Sequence, residues 1–338
     1  MSNATEAQAW LHSRKFVLWD MDGPTRQAGN GQLVVDGPLL SLFHGYAGNR
    51  RSPLRYDIGP AAGSVVYPEG LPAPEIAKHV RWSLQNGSGS RGYTWRETAD
   101  PFQHLHDGTA QGPAARDMAN LALTQWEMAA VPASRLGTRV AALTQRLWHL
   151  GVKQAVATNN AELVAHLALA RHGLDDGRFQ AVVGRDIDGD LHLKPEPHAL
   201  VRACAELGIA DNQRSEGAFV EDSVKNVAAG LAAGIPVLGI TGGDPDKARQ
   251  FLDAGAQFAV PSVAGLWIAG RFNAAAAIRE QALGQQAAAH GLEPPDRATT
   301  ARPLTMPTHH VPEAAQARQR SSSLALDKSP SLDPGTGM

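Results

Sequence analysis

At roughly 100 to 200 residues per domain, 338 residues suffice for two domains, or for one large domain with an insertion and a tail. Lys and Arg total 31 against 33 Asp and Glu, so the net charge of -2 supplies no cationic field for a nucleic-acid backbone. The single cysteine excludes an intramolecular disulfide framework, no apolar run approaches the ~20 residues of a membrane span, and the first 14 residues lack a basic-then-apolar leader, which reads as a soluble cytoplasmic chain.

Residues 16–19, Phe-Val-Leu-Trp, form a short apolar run of the kind found in a buried strand. From 23 to 113 a quarter of the positions are Gly or Pro, against about 12% in an average chain, which predicts a loop-rich insertion. One helix is expected there, at 74–86, with Pro74 suited to its first turn. Met118, Leu121, Ala122, Trp126 and Ala129 trace a helical stripe, and Leu136, Val140, Leu143, Leu147 and Leu150 trace another, closed by Gly151. Apolar runs at 155–157, 181–183, 218–220, 237–240 and 258–260 then alternate with helical segments at 162–172, 197–207, 224–233 and 246–254.

This alternation predicts an α/β fold, a Rossmann-like parallel sheet with helices on both faces, whose first strand is separated from the rest by more than a hundred residues. Residues 1–23 and 137–270 make up the expected core, and 24–136 an inserted, loop-rich and partly helical cap. Residues 271–293 read as an Ala-rich helix. Residues 294–338, rich in Pro, Ser, Thr and Ala, read as a disordered tail because they offer little to bury.

In a parallel sheet of this kind, ligands bind outside the carboxyl ends of the strands. Here those ends are polar: Asp20-Met21-Asp22-Gly23 after the first run, Thr158-Asn159-Asn160 after the second, Lys194-Pro195 in the loop after the third, and Glu221-Asp222-Ser223 after the fourth. Carboxylates, a hydroxyl and an ammonium on one surface suit a divalent cation held by oxygens beside an anionic substrate group. A carboxylate attacks a phosphoryl centre only if their repulsion is relieved, which a shared Mg2+ provides. Asp20 is placed as the nucleophile, and Asp22 as the acid that protonates the leaving oxygen and then activates water. Asp222 and Glu221 complete an oxygen cage, while Thr158, Asn159 and Lys194 face the phosphoryl oxygens.

The segments FVLWDMDG at 16–23, VATNN at 156–160, LKPEPHAL at 193–200 and FVEDSVKNVAAGLAAGIPVLGIT at 219–241, in this order, resemble the haloacid dehalogenase superfamily, in its phosphatase and phosphomutase-like branch with a cap after the first strand. The resemblance covers some 40% of the chain. It implies Asp20 as nucleophile, Asp22 as acid/base with its backbone carbonyl on the metal, Thr158 and Lys194 as phosphate binders, and Asp222 with Glu221 at Mg2+. It also implies a small phosphorylated metabolite as substrate. The same site would serve a phosphotransferase or mutase, a dehalogenase would not need Asp22, and a binding or effector module on this fold would need none of the set. Pro24 departs from the pattern, so no role passes to Thr25.

Other features have plainer readings. Asp186, Asp188 and Asp190 begin like a calcium loop but lack its Gly and Glu, and read as a solvated turn. Cys204 falls on the apolar stripe of Leu200, Val201 and Leu207, as a core thiol. His104, His106 and Asp107 read as part of a surface loop, Arg50, Arg51 and Arg55 as solvated charges, and His309-His310 has no partner set.

Overall fold

The structure is a computed structural model and describes residues 4–27, 33–42, 54–57, 64–67, 73–87, 92–185 and 191–267. The chain divides into two units, Met1–Pro294 and Pro295–Met338, and every described residue belongs to the first. The Ala-rich helix expected at 271–293, the tail, Arg50, Arg51, the side chain of Arg55, the 186–190 turn and His309-His310 lie outside the described residues.

Helix α1 (Ala4–His12) leads into β1 (Phe16–Trp19). Next come β2 (Thr25–Gln27), β3 (Leu33–Val35), β4 (Leu40–Ser41), β5 (Leu54–Asp57) and β6 (Ser64–Tyr67), then α2 (Ala73–Asn86), α3 (Gln103–Gln111), α4 (Pro113–Ala130) and β7 (Arg135–Leu136). The remainder alternates: α5 (Val140–His149), β8 (Lys153–Ala161), α6 (Glu162–Arg171), β9 (Ala181–Arg185), α7 (His198–Glu206), β10 (Ala218–Glu221), α8 (Val227–Ala232), β11 (Val237–Ile240), α9 (Pro245–Asp253), β12 (Phe258–Val260) and α10 (Val263–Leu266).

Six strands form one parallel sheet in the order β12-β11-β10-β1-β8-β9. Strand side chains alternate between faces, so β1 serves two cores. Phe16 and Leu18 pack with Phe219, Val237, Leu200, Cys204, Val227 and Phe251, under α7, α8 and α9. Val17 and Trp19 pack with Leu11, Leu143, Leu147, Val156, Val220 and Ile240 on the opposite face. That second core continues into the insertion through Leu40, Ile76, Val80, Leu105, Leu123 and Trp126.

Helix ends follow local chemistry. Gly151, at φ 73°, closes α5 where a side chain would be strained. Asp244 accepts from the N–H groups of Asp246 and Lys247 ahead of α9, with Pro245 in the first turn.

The insertion begins at an antiparallel pairing of β2 with β3 and includes a second, of β5 with β6. Its two ends are joined: β4 pairs with β7, setting Leu40 opposite Leu136, and the Gly137 N–H donates to the Leu39 carbonyl at 2.8 Å. The surplus of Gly and Pro conceals more helix than its composition suggests. Residues 103–111 are α3 rather than loop, with His104 fully buried and donating from Nε2 to the Ala77 carbonyl at 3.0 Å, and Asp107 ion-paired with Arg96. The α4 stripe also differs in part: Ala122 and Trp126 are buried as expected, but Leu121 is 56% exposed, and the inward face also includes Ala115, Ala119, Leu123 and Ala130.

Candidate active site

Because β1 lies between β8 and β10, the residue that leaves its carboxyl end meets both neighbours. Register sets Trp19 beside Val156 and Val220, and the Asp20 N–H donates to the Val220 carbonyl at 2.9 Å. Asp20 therefore emerges between the 158–160 segment and the Glu221-Asp222 pair, 7% exposed.

Lys194 comes to the same point from the turn after β9. It is 3% exposed, and its Nζ donates to Asp20 Oδ1 at 2.5 Å, to Glu221 Oε2 at 3.0 Å and to the Ala157 carbonyl at 3.0 Å. Burial alone would lower the lysine pKa, but the two carboxylates outweigh it and hold the ammonium above the ordinary lysine range. Asp20 also moves upward, to about 7, because burial and the repulsion of Glu221 exceed the attraction of Lys194. Lys194 is thus a buried cation between two carboxylates, and the crowding of acidic groups around it favours their protonated forms.

Glu221 is fully buried and fully engaged. Its Oε1 accepts from the N–H groups of Asp222 at 3.0 Å and Ser223 at 2.9 Å, and its Oε2 accepts from Lys194 and, at 3.2 Å, from Asn226 Nδ2. It thereby shapes the turn that presents Asp222. Burial raises the Asp222 pKa well above the usual carboxylate range, with Glu221 and Asp20 adding to the effect. One carboxylate oxygen from each of Asp20, Glu221 and Asp222 lies within 4.8 Å of the other two. An all-oxygen set whose members repel each other fits a small hard dication such as Mg2+. The Asp22 carboxylate is outside that set; its Oδ1 accepts from the Leu42 N–H at 2.6 Å. Burial pushes the Asp22 pKa up to about 8 against the hydrogen bonds from Leu42 and Gly23, with Asp20 and Glu127 adding repulsion.

On the other flank, β8 continues past Ala157 to Ala161 with a break in register against β9, so residues 158–160 form an irregular strand end rather than a helix cap. Ala161 is the residue that precedes α6, so Thr158 does not cap that helix. Thr158 is 2% exposed; its hydroxyl donates to Asn160 Oδ1 at 2.9 Å and accepts from the Asn160 N–H at 3.1 Å. The Asn159 side chain binds the backbone of Lys194 on both sides, accepting from its N–H at 2.8 Å and donating to its carbonyl at 3.2 Å. Asn159 thus steadies the lysine turn, a use that its position in the sequence does not reveal.

Sequence reasoning overlooked a buried polar cluster immediately behind this strand end: Glu127 and Arg185, with Asn120 and Thr124. The available signal was Asn120, Thr124 and Glu127 at a spacing of four and three, a polar line along one face of an otherwise Ala- and Leu-rich helix.

The model of the haloacid dehalogenase-like hydrolases matches residues 62–234, just over half of the chain. Among curated proteins, a plasmid-borne phosphoglycolate phosphatase of Cupriavidus necator is 37% identical over 87 residues, 26% of this chain. The match spans only 35% of that relative's length. Solved structures similar to the chain include a predicted phosphatase from Clostridium acetobutylicum, at 17% identity and TM-score 0.46, over 80% of this chain and 99% of that one. Another is a hydrolase of the same family from Deinococcus radiodurans with bound phosphate and sodium, at 20% identity and TM-score 0.41, over 84% of this chain and 100% of that one. The family match begins at residue 62, and β1, which precedes it, lies in the sheet between β8 and β10, two strands within the matched span. The chain belongs to the haloacid dehalogenase-like hydrolases.

Proposed function

We propose that this protein is a Mg2+-dependent phosphatase that hydrolyses a small phosphomonoester through an aspartyl-phosphate at Asp20. The observation that carries the reading is Lys194 lodged between Asp20 and Glu221 at 2.5 and 3.0 Å, with an Asp222 carboxylate oxygen within 4.8 Å of one from each of them. Membership of a hydrolase family supports it, and so does the local likeness to a phosphoglycolate phosphatase.

Asp20 and Asp222 would hold the Mg2+ by side-chain oxygens and Asp22 by its backbone carbonyl, with Glu221 behind them. Bound there, the ion supplies charge neutralisation between a carboxylate nucleophile and an anionic phosphoryl group. An Asp20 oxygen attacks phosphorus, and the bond from phosphorus to the ester oxygen breaks. Asp22, whose carboxyl pKa is pushed up to about 8 by burial, gives a proton to that leaving oxygen. The deprotonated Asp22 then removes a proton from a water molecule, whose oxygen attacks phosphorus and releases Asp20 and inorganic phosphate. Lys194 and Thr158 receive the phosphoryl oxygens, Thr158 by turning toward them the hydroxyl proton that Asn160 Oδ1 otherwise accepts, and Asn159 holds the turn from which Lys194 reaches in. In this reading the substrate is a small phosphorylated metabolite, with no nucleic acid or membrane involved. Among the described residues no helix is long and apolar enough to cross a membrane.

Turnover of an aryl phosphate and of a panel of sugar, nucleotide and hydroxy-acid phosphates, with and without Mg2+, tests the reading. Activity should require Mg2+ and disappear in Asp20→Asn. Silence of the wild-type protein across the panel, or full activity in Asp20→Asn, would overturn it.

A further inference from the structure

The strand end bearing Thr158 and Asn159 is braced from behind by an ion pair that the proposed chemistry does not use. Glu127, in α4, is fully buried, and Arg185, at the end of β9, is 4% exposed. Arg185 grips the carboxylate with both terminal nitrogens, Nη2 to Oε2 at 2.9 Å and Nη1 to Oε1 at 3.1 Å. The remaining capacity of the pair runs in two directions. Toward the insertion, Arg185 Nε donates to Asn120 Oδ1 at 2.6 Å and Nη2 to Thr124 Oγ1 at 3.1 Å. Toward the site, Nη1 donates to the Asn159 carbonyl at 2.6 Å, while Glu127 accepts from the Ala161 N–H at 3.0 Å and from Asn160 Nδ2 at 3.2 Å.

That last bond has a consequence for Thr158. With its NH2 drawn to the Glu127 carboxylate, the Asn160 amide must turn its oxygen to Thr158, whose hydroxyl it holds at 2.9 Å. Glu127 thus governs the Thr158 hydroxyl through one intervening side chain, and Arg185 fixes the backbone of the residue between them. Two charges this deep carry a desolvation penalty that packed apolar side chains would avoid. Directionality is what an ion pair adds over such packing.

We infer that Glu127 and Arg185 are positioning residues, a buried pair through which helix α4 of the insertion sets the geometry of the phosphate-binding strand end at 158–161. This rests on the phosphatase reading above. It assigns to the insertion a part in holding the phosphoryl group, separate from any part in contacting the rest of the substrate.

The test compares Glu127→Gln, which preserves shape, and the double variant Glu127→Met with Arg185→Met, which leaves no lone buried charge. Melting temperature, kcat and KM with an aryl phosphate, and inhibition by inorganic phosphate are measured for each. In a folded variant kcat/KM should fall about 10- to 100-fold, the penalty of a misplaced reacting group. The inhibition constant for inorganic phosphate should rise in step. Asp176→Asn, which removes the charge paired with the buried Arg178 guanidinium in the turn ahead of β9, should lower the melting temperature and leave kcat/KM and phosphate inhibition unchanged. Folded Glu127 and Arg185 variants that behave like Asp176→Asn would overturn the inference, and so would failure of both to fold, since the pair would then belong to the fold alone. Inactive wild-type protein would instead overturn the phosphatase reading.

Discussion

Gly23 and Gly37 touch backbone to backbone: a Cβ on Gly23 would lie 2.2 Å from the Gly37 Cα, and one on Gly37 would lie 2.6 Å from the Gly23 Cα. The contact closes the path by which the chain leaves Asp22 for the β2–β3 hairpin and returns to Leu40, where the Gly23 N–H donates to the Leu40 carbonyl at 3.1 Å. Pro24 is compatible with this turn because its carbonyl, not its nitrogen, is used, accepting from the Asp36 N–H at 2.8 Å. The residue that breaks the family pattern therefore stands at the start of a hairpin that needs no donor from it.

Gly23→Ala should accordingly damage both stability and turnover. The added methyl must displace the Gly37 backbone and also meets Asp222 Oδ2 at 3.3 Å. Overpacking of this kind costs about 1–3 kcal/mol. The same displacement loosens the Leu42 N–H that holds the Asp22 carboxylate. Urea denaturation and kcat measured on one preparation check both effects; unchanged values for both would show that the two backbones separate freely.

The core was legible in the sequence because its signals are local. Continuous apolar runs identify β1, β11 and β12 to the residue, and polar residues immediately after such runs mark where a parallel sheet binds ligands. What could not be read depends on contacts between distant segments. Asn159 reads as a phosphate ligand, and nothing in its neighbourhood in the sequence shows that its side chain binds the backbone of Lys194, 35 residues on. Helix α3 contains Gly108 and charged or polar residues at most positions, and only burial against α2 and α4 reveals its inward face. Glu127 and Arg185, 58 residues apart, acquire meaning only together.

His12 makes stability depend on pH in a defined direction. It is buried at the end of α1, and burial, aided by the Arg146 charge, lowers its pKa from 6.5 to about 4. Above pH 6.5 the ring is neutral in the folded and the unfolded chain, and its contribution to stability is complete. Between pH 6.5 and 4 the unfolded chain binds a proton that the folded protein does not, so stability falls by up to about 3 kcal/mol and then levels off. His12→Leu should remove that part of the decline. Urea unfolding of both proteins at pH 7.5 and 4.5 gives the difference, and parallel curves would assign the decline to other groups.

Cys204 should be silent in the native state. Its side chain is fully buried between α7 and the sheet, and burial pushes the thiol pKa up to about 11. Thiolate is the reactive form, so at pH 8 both access and ionisation are denied. A colourimetric disulfide reagent should label it at the rate of unfolding and label it immediately in denaturant. Fast stoichiometric labelling of the native protein would contradict the packing of α7.

Mg2+ should stabilise the folded protein, and Asp222 should be required for it. Asp20, Asp22 and Asp222 are held together at a cost visible in their raised pKa values, and Lys194 neutralises only one side of the group. A ligand that binds only the folded state adds about 2.7 kcal/mol at a hundred times its Kd. The melting temperature should therefore climb with Mg2+ concentration and return to its starting value on chelation. In Asp222→Asn the repulsion is relieved without the ion. That variant should be at least as stable as wild type in the absence of Mg2+ and should gain little from its addition. Equal Mg2+-dependent shifts in the two proteins would place the cation elsewhere, whereas no shift in either would leave the carboxylates to be neutralised by protons and Lys194 alone.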